Sequence, residues 1–517
     1  MEQNPLIADV VFFNGNIITL SEEHQVTSAL AVKDSIILAV GPFEDMKIHL
    51  GRNTKSIDLK GKTVVPGFID SHIHLISLGL DMQVLDLTEV TSKLGLLEKL
   101  AKAQNTPKGN WIKGYGFEEE LVDELPMKWE LDSLYPDNPV YLESKNYKLC
   151  ISNSLALKKL TKTQLEGVIV EKTPNDELTG IIRVKDETLL YNTIDVPTLD
   201  PVDNYLRESE LELAIEIASK KVVKAGITSI HDPQLPPNAL RAFKKAVREG
   251  KTPLRMYLGC DRNKEIELED YFTEGLGSEP YRRNLKMGMV KLFADDRMSK
   301  KEFKKRVREA HRAGLQLSIH ATNIQEMENA FDALEKALEE APTDNHRHRI
   351  EHADSLDEKL LERATKLGLI IAAQPEIVYK LEPRYPEGVM KVAYSSMIRA
   401  GINVSGGSDS PTVPIKRRAR PPLAYPTPLI GIGFAVSRKT RQGMLIDKEE
   451  NISVLEALKV YTINGAYASF EESLKGTLEV GKLADLAVLS DNPFKVNTED
   501  IGKIKVEMTI IGGEIVD

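Results

Sequence analysis

The chain has 517 residues, of which 41% are hydrophobic, so it is long enough for one elaborated domain with a large core. Its formal net charge of −10 argues against a nucleic-acid partner, because a surface that follows phosphates needs an excess of Lys and Arg. Two cysteines, Cys150 and Cys260, cannot build a disulfide framework, and with no signal-like start or bilayer-length apolar run we expect a cytoplasmic protein without a membrane partner.

Both ends of the chain are rich in short strands. At the N-terminal end, residues 9–20 predict two strands around the Asn14-Gly15 turn, and residues 28–41 predict a hairpin. At the C-terminal end, residues 481–489 predict a strand and residues 506–516 a hairpin. Neither end has enough strands for a stable sheet of its own, so we expect the two ends to pair with each other.

A pair of histidines stands at the end of the next predicted strand. Pro66-Gly67 indicates a turn, and the strand begins near Phe68 and leads to His72 and His74. Side chains two positions apart on a strand project from the same face, so these histidines can hold one ion between them. A His-x-His pair alone also fits a polar strand end, so the rest of the chain must decide between the two interpretations.

From about residue 205 the chain alternates between helices and short apolar strands, which indicates a parallel sheet with crossover helices. The predicted strands are residues 227–232, 288–293, 316–320, 349–352, 370–374 and 402–409. Nearly every strand ends in or carries a residue that can bind a metal or a polar substrate. Active sites of TIM barrels lie at the carboxyl ends of the strands, so we expect these residues to meet there.

The order Pro-Gly-Phe-Ile-Asp-x-His-x-His in residues 66–74 resembles the amidohydrolase superfamily, and in particular its amidohydrolase-3 type branch of metal-dependent hydrolases. The resemblance runs over nearly the whole chain. It implies an α/β fold, a TIM (β/α)8 barrel with a composite N-/C-terminal β-sandwich and an α+β insertion after the first barrel strand. The implied domains are residues 1–64 and 469–517 for the sandwich, 65–85 and 205–468 for the barrel, and 86–204 for the insertion, which we expect over the barrel mouth.

The resemblance also implies a metal site made from the ends of the barrel strands, with the ligands His72, His74, Lys291, His320, His352 and Asp409. Taken alone, His320 and His352 would more often be core or capping residues, but their His-Ala and Glu-His-Ala contexts match the family. We expect one or two divalent ions, zinc first, because imidazole is a common zinc ligand.

Lys291 lies in an apolar run, where a cationic lysine is disfavoured. In the resembled family, a lysine at this position can undergo N6-carboxylation, so that the resulting carbamate bridges two ions. A surface lysine whose stem covers apolar residues is the alternative interpretation. By contrast, His346 and His348 stand in a polar run before a strand, and we interpret them as loop residues.

Asp409 stands in the sequence Gly-Gly-Ser-Asp-Ser-Pro, which resembles the last barrel strand of the family. A carboxylate there can contact a metal, accept the proton of the attacking water and return it to the leaving nitrogen. A metal or a histidine such as His352 stabilises the oxyanion, so Asp409 and His352 are the expected catalytic residues. The implied activity is hydrolysis of a carbon–nitrogen bond other than a peptide bond, in an amide, a cyclic amide or an N-acyl amino acid.

Two alternatives stay open. A mononuclear amidine hydrolase or deaminase of the same superfamily would use His72, His74, one further histidine and Asp409, with Lys291 unmodified, and the number of ions would distinguish it. A non-catalytic scaffold is the least expected alternative, because all six ligand positions are filled.

The positions that the branch uses outside the ligand set are changed. The branch usually has an Asp and a His where Asn146 and Lys148 stand, Gly-Asp where Asn323-Ile324 stands, and a His where Ile377 stands. The ligand positions match the branch and the other positions do not, so the sequence predicts the catalytic chemistry but not the substrate.

A cationic run follows Asp409 and includes Arg417, Arg418 and Arg420. It fits a solvated surface loop, or a site at which one arginine binds a substrate carboxylate in two parallel hydrogen bonds, with Lys148 as a second cation. We expect a small-molecule substrate. A homodimer is compatible with the sequence, which does not determine the oligomeric state.

Overall fold

The structure, a computed structural model, describes residues 6–22, 26–103, 106–146, 148–158, 167–185, 207–235, 239–261, 284–381, 390–411 and 425–517. The Lys148 position is among them, whereas Arg417, Arg418 and Arg420 lie outside the described residues. The chain divides into two compact units, one within Met1–Leu75, Ile215–Thr412 and Ala424–Asp517, the other mainly within Ile76–Ala214. Among the described helices, none combines the length and the apolar character that a bilayer-spanning segment needs.

The centre of the larger unit is an eight-stranded sheet in which each neighbouring pair is parallel. In sheet order, its strands are Asn403–Gly406, Ile370–Ala373, Arg349–His352, Gln316–Ala321, Leu285–Phe293, Arg255–Asp261, Ile227–Leu235 and Phe68–Asp70. The two outer strands also approach each other, because the Ser71 amide donates to the Gly406 carbonyl at 2.9 Å. The sheet is therefore nearly closed, which agrees with the predicted TIM-type barrel.

The strand Arg255–Asp261, third along the chain, was not among the predicted strands. Its apolar residues alternate with Arg255 and Tyr257, and both of these polar side chains are buried and satisfied inside the protein. Arg255 forms a two-pronged ion pair with Asp485, and the Tyr257 hydroxyl donates to Gln316 at 3.1 Å. Partners so far away in the sequence leave no mark on the local pattern, so that pattern did not indicate a strand here.

Helices follow most of the barrel strands and cover the outside of the sheet. In the larger unit they are Phe43–Met46, Ala239–Arg248, Lys300–Arg312, Ile324–Glu340, Glu358–Lys366, Pro375–Leu381, Tyr394–Arg399, Pro428–Ser437, Val454–Val460 and Ile463–Ala468, with 3-10 turns at Lys47–His49, Lys448–Glu450 and Thr498–Lys503. Several begin at a side-chain cap, as in Ile324–Glu340, where the Asn323 side chain accepts the Glu326 amide proton. The helix Glu208–Val223 runs from the smaller unit into the larger one.

Strands from the two chain ends share one sheet, as predicted. Its order is Glu514–Ile515, Val506–Ile511, Leu486–Leu489, Thr63–Pro66, Asn16–Ile18 and Val26–Thr27. A second sheet contains Ile36–Gly41, Ala29–Lys33, Val10–Phe13 and Lys55–Asp58. One cluster of buried side chains joins the two sheets, with Phe12 and Leu30 from one sheet and Val64 and Val488 from the other.

The first predicted pair of strands does not form a hairpin. Val10–Phe13 and Asn16–Ile18 flank the Asn14-Gly15 turn as expected, but they enter different sheets. A Cβ atom on Gly15 would lie 2.6 Å from the end of the Leu59 side chain, so the chain passes close to Leu59 where it crosses between the sheets. The predicted hairpins at residues 28–41 and 506–516 are present.

The smaller unit has its own sheet and core. The sheet order is Val168–Lys172, Leu178–Val184, Leu149–Ser152, Val140–Ser144, Ile112–Phe117 and Leu85–Asp86, with short helices at Leu75–Asp81, Lys93–Ala101, Lys128–Leu134 and Ser154–Leu157. The core combines aliphatic side chains such as Leu96, Leu131 and Leu142, all fully buried. This unit therefore folds around apolar residues of its own segment.

Candidate metal centre

His72 and His74 follow the first barrel strand, Phe68–Asp70, directly. The Asp70 carboxylate accepts the backbone protons of His72 at 3.2 Å and of Ser408 at 2.9 Å, which ties the first and last barrel strands together. Burial, and then the charge of Glu376, raise the pKa of Asp70 to about 7. A Cβ atom on Gly407 would lie 2.6 Å from the His72 nitrogen, so a glycine is required where the last strand passes this histidine.

His72, His352 and Asp409 come together at the carboxyl ends of three strands. One donor atom from each lies within 4.8 Å of the others, a spacing that small side-chain rotations adapt to one ion. His72 is 1% exposed, and its Nε2 atom makes no hydrogen bond with any described residue. A buried polar atom without a hydrogen bond costs folding free energy, and coordination of a metal ion would satisfy it. The donor set therefore fits a divalent ion.

His74, His320 and Lys291 lie beside this cluster. The His74 Nε2 atom lies 3.1 Å from Asp409 Oδ1, and the His320 ring centre lies 4.4 Å from that of His352. Lys291 is 1% exposed, and its Nζ lies 5.4 Å from the ring centre of Phe293 at the end of the same strand. The structure thus brings the six predicted ligand positions to one end of the barrel.

The protonation of these side chains follows from burial and from their mutual charges. Burial, and then the charge of Lys291, lower the pKa of His72 to about 3. Burial opposes protonation of His74 as well, but its hydrogen bond with Asp409 raises the His74 pKa. Burial likewise opposes ionisation of Asp409, but the charges of the surrounding histidines hold the pKa of this carboxyl below its usual range. The carboxylate is therefore ionised.

Three residues of the site have left-handed backbone conformations that non-glycine residues seldom adopt. The φ angle is +77° at His352, +50° at Ala353 and +49° at Asp409. Each such conformation costs on the order of 1–3 kcal/mol and persists only where the surroundings enforce it. Such strain is typical of functional sites, so it supports a functional role for the ends of these two strands.

Residues without a predicted role complete the surroundings of the histidines. Asp232, on the strand Ile227–Leu235, accepts the Leu75 amide proton at 2.9 Å, and its Oδ1 lies 3.9 Å from His74 Nδ1. Burial raises the pKa of Asp232 to about 6. The Gln374 side-chain oxygen accepts a hydrogen bond from His352 Nδ1 at 2.9 Å. A sequence signal existed, since both residues stand at the carboxyl ends of barrel strands, as the predicted ligands do.

Of the four cations predicted to bind substrate, Lys148 is the one in the described part of the chain. Lys148 is exposed in the smaller unit, where its backbone amide donates to the Asn146 side chain at 3.0 Å. His346 and His348 lie in the loop before the strand Arg349–His352, as predicted. His348 is buried, however, and its ring nitrogen lies 2.9 Å from His311 Nδ1.

Comparison with known proteins agrees with this arrangement. The putative amidohydrolase YtcJ of Bacillus subtilis is 30% identical to this chain, over 98% of this chain and 99% of that protein. An N-substituted formamide deformylase of Arthrobacter pascens is 25% identical, over 98% and 97% of the two chains. The crystal structure of an uncharacterized metal-dependent hydrolase from Pyrococcus horikoshii has the same fold, with a TM-score of 0.70 and 23% identity over 95% of this chain and 99% of that one.

The sequence model of the amidohydrolase family matches residues 55–517, which include the barrel and every predicted ligand. This match confirms the resemblance from which the ligand set was taken. The chain therefore belongs to the amidohydrolase family.

Proposed function

We propose that this protein hydrolyses a carbon–nitrogen bond other than a peptide bond, in a small molecule, with a metal-activated water. The observation that carries the proposal is the convergence of His72, His352 and Asp409, with a buried His72 Nε2 atom that makes no hydrogen bond to a described residue. His74, His320 and Lys291 complete the proposed ligand set, and zinc is the expected ion. When bound, such an ion acidifies water and polarises the scissile group.

Asp409 is the proposed proton carrier. Its Oδ1 atom lies between His72 and His74, 3.4 and 3.1 Å from their Nε2 atoms, so a water held among these side chains is within reach of the carboxylate. Asp409 accepts a proton from this water during attack and returns it to the leaving nitrogen. His352, beside the same carboxylate, is the second proposed catalytic residue, and it would act as a ligand of the ion that stabilises the developing oxyanion.

We propose an N-substituted amide as the substrate class, either an N-acyl compound or a cyclic amide. The similarity to a protein named N-substituted formamide deformylase supports this class. An acidic substituent would match the cations Lys148, Arg417, Arg418 and Arg420, which we propose as its binding residues. Residues 86–204 are the proposed insertion that shapes the substrate pocket, and the two sheets at the chain ends are the proposed β-sandwich.

A mononuclear deaminase is the second candidate. The three-residue cluster of His72, His352 and Asp409 supports it, because one ion can be held without Lys291. In the dinuclear alternative, Lys291 carries CO2 as a carbamate, which removes the cost of a buried ammonium group. One ion per chain at full activity, with no incorporation of 13C-labelled bicarbonate at Lys291, would favour the deaminase.

The test combines metal analysis with a substrate screen. Purified protein is assayed for bound ions and then offered N-formyl and N-acyl amino acids, cyclic amides and amidines, with carboxylate and ammonia release measured separately. Carboxylate release without ammonia supports amide hydrolysis, whereas ammonia release from an amidine supports the deaminase. A chain that binds no divalent ion and hydrolyses none of these compounds would contradict the proposal and favour a scaffold.

A further inference from the structure

Glu351 lies directly behind His72 in the interior of the barrel. Its Oε2 atom is 2.6 Å from His72 Nδ1, and both side chains are 1% exposed or less. A carboxylate only accepts hydrogen bonds, so Nδ1 carries the proton and Nε2 keeps its lone pair. The contact therefore selects the tautomer in which Nε2, which makes no hydrogen bond to a described residue, can bind a metal.

The Glu351 carboxylate is itself held in place by two further side chains. Oε1 accepts hydrogen bonds from the Ser318 hydroxyl at 2.6 Å and from Arg349 Nε at 2.8 Å. A second Arg349 nitrogen donates to Oε2 at 3.0 Å. Because both oxygens accept hydrogen bonds, the Glu351 carboxylate is held in one orientation.

Arg349 also holds the backbone beside His72. One of its terminal nitrogens donates to the carbonyl of Ser71, the residue before His72, at 2.6 Å, and the other lies 3.0 Å from His231 Nδ1. The Arg349–Glu351 pair therefore contacts both the side chain of His72 and the peptide that precedes it. The pair fixes the position and the rotation of the imidazole together.

This ion pair is completely buried, with both side chains 0% exposed. A buried pair loses much of its attraction to desolvation, and apolar residues of similar volume often stabilise a core as well or better. Stability alone is therefore a weak reason to place such a pair inside the barrel. Its position under His72 supplies a stronger reason.

We infer that Glu351 and Arg349 form a positioning unit for His72 that sets the affinity of the site for its divalent ion. The inference rests on the proposed function, since it assigns the unit to the metal of that site. His352 offers an internal contrast, because its Nδ1 is backed by the neutral amide of Gln374 at 2.9 Å. Residues that back a ligand histidine typically change metal affinity 10- to 100-fold when they are removed.

The test measures Zn²⁺ affinity by competition with a graded series of chelators. The Glu351→Gln variant removes the charge, and the expected result is a 10- to 100-fold weaker affinity with the fold retained. Glu471→Gln is the matched control, because Glu471 is as deeply buried and also accepts a hydrogen bond from a serine, Ser469, and pairs with a cation, Lys475, at 3.0 Å. The control is expected to keep wild-type affinity, whatever its thermal stability.

A second comparison asks whether Glu351 acts through His72. In a His72→Asn background, Glu351→Gln is expected to cause less than about a twofold further loss of Zn²⁺ affinity, whereas in a His352→Asn background the 10- to 100-fold loss should persist. The visible spectrum of the Co²⁺-loaded protein gives an independent readout, because a changed imidazole donor alters the ligand field. Glu351→Gln should shift this spectrum and Glu471→Gln should not.

If Glu351→Gln does not fold, Ser318→Ala decides the question, since it loosens the carboxylate and leaves the ion pair intact. Wild-type affinity and an unchanged Co²⁺ spectrum in a folded Ser318→Ala or Glu351→Gln protein would overturn the inference. Equal losses in the His72→Asn and His352→Asn backgrounds would also overturn it. Failure of the proposed function is separate, because it would appear as a lack of stoichiometric metal or of hydrolysis in the wild-type protein.

Discussion

Asp409 Oδ1 lies 3.1 Å from His74 Nε2, and the two residues stand at the ends of the last and first barrel strands. This contact brings the proposed proton carrier to the proposed ligands. We expect Asp409→Asn to lower kcat by about 10²- to 10⁴-fold, because an amide cannot carry the proton. Steady-state kinetics with parallel metal analysis measures this, and a near wild-type rate at full metal content would contradict the proton role.

Removal of a ligand should disable metal binding without unfolding the protein. We expect His72→Ala and His74→Ala to lose bound metal and turnover, because the remaining donors cannot replace an imidazole at the same position. The barrel core consists of apolar side chains such as Ile230, Leu258 and Leu317, so circular dichroism should stay native. His49→Ala, at the 3-10 turn Lys47–His49 of the terminal region, is the control and should keep both metal and activity.

Gly407 is expected to be intolerant of any side chain. A Cβ there would lie 2.6 Å from the His72 nitrogen and 2.8 Å from its Cβ, and backbone cannot rotate away as a flexible side chain can. Gly407→Ala should therefore displace His72 and reduce metal content. Gly502→Ala serves as the comparison, since its nearest contact would be an ordinary 3.5 Å. Equal metal content in both variants would show that the strands separate easily at this point.

The buried histidines near the other end of the barrel should make stability depend on pH. Burial lowers the pKa of His348 well below 6.5 and also lowers that of His346. Below pH 6.5 these histidines are protonated in the unfolded chain but stay neutral in the folded protein. Their contribution to stability is therefore fully present above pH 6.5 and decreases as the pH falls. Between pH 7 and pH 5.5 the buried His348 should therefore lower the free energy of unfolding by about 1 kcal/mol.

A His348→Gln variant tests this expectation. Urea unfolding of chelator-treated protein at the two pH values should show a smaller loss of stability for the variant than for the wild type, because one proton-binding difference has been removed. His49→Gln, which changes a partly exposed histidine, should behave like the wild type. A loss that is the same in all three proteins would assign the pH dependence to other groups.

Much of the barrel and of the ligand set could be predicted because the signals were local. His352 ends a buried strand and His320 stands one residue before the end of another, and His72 and His74 follow a turn and a buried strand, so strand order alone brings them together. The match to the family confirms the framework from which these predictions came. Metal occupancy, the modification of Lys291 and the four cationic substrate contacts stay predictions.

The parts that sequence could not provide depend on contacts between distant residues. Glu351 and His72 are 279 positions apart in the sequence, and Arg255 and Asp485 are 230 apart. The local sequence around one residue therefore does not indicate its partner. For Arg349 and Arg255, the local sequence showed only a charged residue within a short strand, which indicates a buried ion pair without naming the partner. The crossing of the chain at Gly15 follows from the different partners of its two flanking strands, which no periodicity reveals.

The shared terminal sheet has a consequence for the order of synthesis. Thr63–Pro66 leads directly into the strand that precedes His72, and its antiparallel neighbour, Leu486–Leu489, follows all the barrel strands in the chain. During biosynthesis Thr63–Pro66 can therefore pair at first only with Asn16–Ile18, on its other side. Its second edge is covered only after the barrel strands have been made, so completion of this sheet is a late step in folding.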